Sequence, residues 1–165
     1  FREPRELLVL TGPPIDRARD RDMADMVREF TGRLAISGGT TANIIARELG
    51  RDVRVNLRDL DPSLPPKSEM EGIDLVTEGI LTLGRVAEML ENGDSPEESA
   101  RNAATELLGL LLSSDRIRFV VGTRINEAHQ DPNIPVELEI RRNVVKKISH
   151  LLEEKHLKES TVSYI

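Results

Sequence analysis

Four short apolar runs, each closing on a glycine, constrain the fold more than any other feature: "ELLVLTG" (6–12), "RLAISG" (33–38), "GIDLVTEG" (72–79) and "RIRFVVG" (116–122). Runs of this length that stop at a turn signal read as buried strands. Helical spacing separates them. Met23, Met26, Val27 and Phe30 recur at i, i+3, i+4 and i+7 among charged residues, the stripe of an amphipathic helix with a solvated outer face. Ala42, Ile45, Ala46 and Leu49 repeat that spacing before Gly50, and Ile80, Leu83, Ala87 and Leu90 do so before Asn92 and Gly93. Ser95 as cap and Pro96 as an early helical residue start a further helix, with Ala100, Ala103, Ala104, Leu107, Leu108 and Leu111 inward. A last long helix turns Ile140, Val144, Ile148, Leu151 and Leu152 inward, and "STVSYI" (160–165) ends the chain as a short strand. "DVRVNL" (52–57) alternates as a half-buried or edge strand does. Strands alternating with helical crossovers predict an α/β fold, three-layer and Rossmann-like: a mostly parallel sheet with helices on both faces.

Two connections carry no period. Residues 58–72 hold Pro62, Pro65 and Pro66, which exclude a helix interior, and residues 123–135 form a second long irregular loop. At 165 residues with 38% hydrophobic content the chain fits one domain with a real core. Its 23 Lys+Arg against 29 Asp+Glu give a net charge of −6, without the basic patch that nucleic acid requires. No apolar run approaches the roughly 20 residues that span a bilayer. With no cysteine there is no disulfide, thiolate nucleophile or cysteine-based zinc site. No signal-peptide pattern opens the chain, so the expected compartment is the cytoplasm.

In a sheet of this kind ligands collect beyond the carboxyl ends of the strands. The expected ligand-binding set lies there: Thr11 and Gly12; Ser37, Gly38, Gly39, Thr40, Thr41 and Asn43; Thr77, Glu78 and Gly79; Gly122 and Arg124; and Asn126 and His129 in the second long loop. Glycine admits a close backbone approach, and helix starts after "SGGTT" and "TEG" present unpaired N–H groups at the positive dipole end. The same Gly-Gly and Thr residues also make an ordinary turn and helix cap, so "SGGTT" is either an anion site or a tight turn. Neither GxxxxGK[ST] nor GxGxxG occurs, which argues against a standard nucleotide hydrolase or Rossmann dehydrogenase. Arg124 is placed to clamp a phosphate or carboxylate, or to form a surface salt bridge. Glu78 reads as a general base, a ribose-hydroxyl ligand or simple dipole compensation. Asp74, inside an apolar run, needs a core hydrogen bond if buried. His129 lies near Asn126, Glu127 and Asp131, a set that can bind a metal or shuttle a proton, whereas His150 and His156 belong to the last helix. No serine carries a nucleophile elbow, and no catalytic or metal-binding set is assigned.

The blocks "REPRELLVLTGPP", "SGGTTANIIARELG", "EGIDLVTEGILTL" and "VVGTRINEAHQDPNIPVELEIRRNVV" resemble the region that follows the catalytic domain in certain bacterial serine phosphatases. These are relatives of the stage II sporulation protein E family, of the protein phosphatase 2C type. The resemblance covers nearly the whole chain. It implies an accessory domain whose partner is its own phosphatase catalytic domain, lying upstream and holding the manganese or magnesium. This chain lacks the metal-binding Asp-Gly motif and the closing Asp-Asp pattern, so no catalytic residue carries over and no cofactor is expected here. The start at Phe1, followed by "REPREL", fits a piece cut at a domain border. The expected function is therefore a regulatory, ligand-sensing domain that takes a phosphorylated or otherwise anionic small molecule at the strand rim. The alternatives are an enzyme in its own right acting on a phosphate-bearing substrate, and an interaction or homodimerisation module using "ATELLGLLL" (104–112) or the last helix.

Overall fold

The computed structural model describes residues 2–58, 60–125 and 134–165, the side chains of residues 134 and 135 excepted. Seven strands form one sheet: β1 (Glu6–Thr11), β2 (Arg33–Ser37), β3 (Arg54–Val55), β4 (Ser68–Met70), β5 (Ile73–Thr77), β6 (Arg116–Val121) and β7 (Glu159–Tyr164). Five helices connect them: α1 (Asp20–Glu29), α2 (Gly39–Leu49), α3 (Ile80–Asn92), α4 (Ala103–Leu112) and α5 (Ile134–His156). The order across the sheet is β3-β4-β5-β2-β1-β6-β7, in which β5, β2, β1, β6 and β7 are parallel and the β3 and β4 edge is antiparallel. Chain direction across the sheet therefore reverses between β1 and β6, the switch point of a Rossmann-like fold.

Alternation in β1 shows how the three layers arise. Leu7 and Val9 face a core built with Leu83, Leu90, Leu107, Leu111, Ile148 and Leu152 of α3, α4 and α5. Leu8 and Leu10 face the opposite core, with Met23 and Val27 of α1 and Ile45 of α2. Every strand that is buried on both faces must be apolar at successive positions, which is why the runs look continuous in the sequence.

Several expectations are corrected. Residues 68–70, inside the proline-rich connection, form a strand paired antiparallel with β5; "SEM" is too short and polar to carry a period. Helix α4 starts at Ala103, with Pro96 and Ala100 outside it. The Asn102 side chain accepts from the Thr105 amide at 2.9 Å and the Thr105 hydroxyl accepts from the Asn102 amide at 2.9 Å, a reciprocal capping box that satisfies two donors at once. The Ser95 hydroxyl instead bonds Glu97 within a turn. Ile140 is exposed, and Val145 takes the inward position beside Ile148 and Leu152. Asp74 is exposed, its carboxylate accepting from the Leu34 amide at 2.8 Å. Strand β3 is an edge strand as expected, but only Arg54–Val55 belong to it, and Val55 and Leu57 are exposed. Leu107, Leu108 and Leu111 of the leucine-rich helix are buried in the core of the chain, while Leu110 and Leu112 are partly buried.

The connection over α4 is held by Asp61, whose carboxylate accepts from the Ser63 hydroxyl and amide and from the Asn102 side chain. These donors hold its pKa at about 2, against an ordinary 3.8. A depressed carboxylate stabilises the fold above its unfolded pKa, and that contribution disappears as pH falls from about 4 through about 2. Urea unfolding midpoints of Asp61→Asn should lie below the parent's at neutral pH and converge on them in this acid window. A gap that stays constant down to pH ~2 would remove Asp61 from the linkage.

Candidate functional site

Parallel pairing places the carboxyl ends of β1, β2, β5 and β6 on one edge of the sheet. The loops after β2 and β5 lead directly into α2 and α3 through Gly38 (φ +149°) and Gly79 (φ +142°), backbone conformations that side chains rarely adopt. A methyl group on Gly79 would lie 3.5 Å from the Gly38 Cα, so the two helix starts sit side by side. The Gly38 and Gly39 amides are used locally, donating to the Thr77 and Glu78 carbonyls at 2.9 and 3.1 Å, and the first intrahelical bond of α2 runs from the Ala42 amide to the Gly38 carbonyl. The amides of Thr40 and Thr41 meet no acceptor among the described residues. Thr41 is 1% exposed, and its hydroxyl is buried without a partner. A helix start with free amides and an unpaired hydroxyl beside it is a concentrated set of donors.

Thr40 and Thr41 belong to the lining of a cleft of about 740 Å³ bounded by the α2 start, Glu78, the loop after β6 and the first turns of α5. Four arginines (Arg17, Arg47, Arg124 and Arg141) line it against two glutamates (Glu78 and Glu137), so this rim is cationic on a chain whose net charge is −6. Two of the arginines are already engaged. Arg124 donates to the Pro14 carbonyl at 2.8 Å and to Asp20, and Arg47 reaches the same Asp20 carboxylate at 2.9 Å. Asp20 is 1% exposed and thus ties α1, α2 and the β6 loop together.

Arg141 differs. Its Nε is buried without a partner, and its guanidinium forms no hydrogen bond or ion pair with a described residue. Burial pushes its pKa below the ordinary value, while the nearby charges of Glu137 and Glu78 oppose the shift. Its position is set by Gly12, since a methyl group there would lie 3.3 Å from Arg141 Nη1. Gly38 completes the convergence, because a methyl group on it would sit 3.1 Å from the Thr41 hydroxyl and 3.8 Å from the Gly12 nitrogen. Glu78 is also incompletely used: Oε1 accepts from the Leu81 amide only at 3.5 Å, and Oε2 is buried and unpaired.

The expected residues that the structure describes divide into three groups. Gly38, Gly39, Thr40, Thr41, Asn43, Glu78 and Arg124 line the cleft. Thr11, Ser37 and Thr77 are buried at the strand ends, Thr11 donating to the Ser37 carbonyl at 2.6 Å and Thr77 to the Ser37 hydroxyl at 2.9 Å. Gly12, Gly79 and Gly122 serve close packing. Gly122 stands so near Gly12 and Pro13 that backbone fills the space between the β1 and β6 loops, and the cleft lies to the β2 and β5 side of the switch point. Asn126 and His129, with Glu127 and Asp131, fall outside the described residues. Arg141, Arg47 and Asp20 escaped sequence reasoning, because charges on helical surfaces carry no mark of where the helix docks. His150 is exposed and pairs with Glu154 at 3.2 Å. Among the described residues no group of three or more His, Asp or Glu is placed to hold a metal, and no helix is long and apolar enough to cross a membrane. No family model matches the sequence, and no curated protein or solved structure matches it.

Proposed function

We propose that the chain is a ligand-sensing domain that binds a phosphorylated or otherwise anionic small molecule in this cleft. The observation that carries the reading is the convergence of the unpaired Arg141 guanidinium with the unpaired Thr41 hydroxyl and the free amides of the α2 start. A part-buried cation and buried donors without partners are unfavourable alone, and one anion relieves them together. The volume lies within the range of small-molecule sites. Following the resemblance to regions adjoining serine phosphatase domains, occupancy would alter how this domain sits on a catalytic domain and so tune its activity.

Thr41→Val tests the site because its structural and binding consequences have opposite signs. The hydroxyl has no partner, so replacing it by a methyl group should leave unfolding free energy unchanged or raise it by up to about 1 kcal/mol. Affinity for inorganic phosphate, measured by titration calorimetry, should fall about tenfold with the loss of one hydrogen bond to a charged group. Loss of stability with unchanged phosphate affinity would make Thr41 a structural cap and remove the anion site.

A further inference from the structure

We infer that the ligand is a phosphate monoester carrying a free hydroxyl group near its phosphate, of the sugar-phosphate class. The inference rests on the anion reading above and concerns the other half of the cleft. Glu78 projects from the carboxyl end of β5 into the same cleft that the α2 start and Arg141 line. A carboxylate only accepts hydrogen bonds, and Oε2 is buried with nothing to accept from. The oxygens of a fully ionised phosphate monoester are acceptors too and repel it. The group that meets Glu78 must therefore be a donor attached to the anion's own molecule.

The donors of a small phosphate ester are either cationic, such as ammonium, or neutral, of which hydroxyl is the commonest. Glu78 shares the cleft with the positively charged Arg141 guanidinium. A second cation placed between them would be repelled by the guanidinium, whereas a neutral hydroxyl donates to Glu78 without that penalty. Among the mostly polar and charged residues that line the rest of the cleft, Pro13, Ile44, Ile80 and Leu138 add apolar surface that suits the carbon face of a sugar or polyol. In the bound state the Thr40 and Thr41 amides and the Thr41 hydroxyl hold the phosphate, Arg141 neutralises it, and Glu78 accepts from the hydroxyl.

The test is calorimetric titration of the 165-residue chain with propyl phosphate, glycerol 3-phosphate, ribose 5-phosphate and adenosine monophosphate. Glycerol 3-phosphate should bind at least about tenfold more tightly than propyl phosphate, which lacks the hydroxyl groups. In Glu78→Ala the two should bind within about twofold of one another, and propyl phosphate should bind as well as it does to the parent or better, because a negative charge has left the site. Glu78 makes only one long hydrogen bond, so this variant keeps the fold. Equal affinity of the parent for propyl phosphate and glycerol 3-phosphate would overturn the inference and leave the anion site standing. No binding of any of the four compounds would overturn both readings. Ribose 5-phosphate binding as tightly as adenosine monophosphate upholds the sugar-phosphate class, and a marked gain from the base would replace it with a nucleotide.

Discussion

Asp20→Asn is expected to lower the unfolding free energy by about 3 kcal/mol, at the lower end of the losses caused by removing one member of a buried charge network. The carboxylate is 1% exposed and receives both Arg47 and Arg124. Asparagine preserves the shape, yet it carries no charge and puts an NH2 donor where one of the two carboxylate oxygens, Oδ1 facing Arg124 and Oδ2 facing Arg47, accepts. Arg124, with 21% side-chain exposure, would keep only the Pro14 carbonyl, whereas Arg47, 59% exposed, can turn to water. The loss should therefore arise mainly at Arg124, where the β6 loop meets the start of α1. Chemical denaturation of the parent and the variant at neutral pH measures it. A difference under about 1 kcal/mol would mean that water satisfies both arginines and that Asp20 is not the tie between these elements.

Gly122→Ala should have an effect of similar size for a different reason. Its Cβ would lie 2.1 Å from the carbonyl oxygens of both Gly12 and Pro13. Those atoms are backbone, so relief requires the β1 and β6 loops to part, and overpacking of this kind costs about 3 kcal/mol or more. In a chain of this length that is a fall in Tm of roughly 10 °C. Gly109→Ala is the internal control: it lies within α4 with nothing within 4 Å of the added methyl group, and should raise stability by about 0.5–1 kcal/mol. Equal midpoints for the two variants would show that the loops yield easily and that their contact does not define the cleft's boundary.

The helices and strands that could be read from the sequence are those whose burial repeats. The alternation of Leu7 and Val9 with Leu8 and Leu10, and the stripes through α1, α2 and α3, follow from which faces touch a core. The elements misread are those whose stability comes from particular partners. Strand β4 exists because β5 offers it an unpaired edge, and α4 starts where Asn102 and Thr105 cap one another instead of at Ser95. Half of the cleft was legible for the first reason. Gly38, Thr40, Thr41 and Glu78 come directly after strands, so a parallel sheet brings them to one rim.

The other half was not. Arg124 reads from its place after β6 either as an anion clamp or as a salt-bridge partner, and Asp20 of α1 makes it the second, while Arg141, one of two adjacent arginines on a helical surface, stands unpaired over Gly12. The alternation of the main strands and helices, the mostly parallel sheet and the glycine-bearing rim were determined by the sequence alone, because apolar periodicity and strand ends are local properties that report burial directly. Which arginine is held and which is left for a ligand was decided only by tertiary structure. Charge pairing depends on distances between residues as far apart as Asp20 and Arg124, or Gly12 and Arg141, and those distances are set by how helices dock, not by any local pattern.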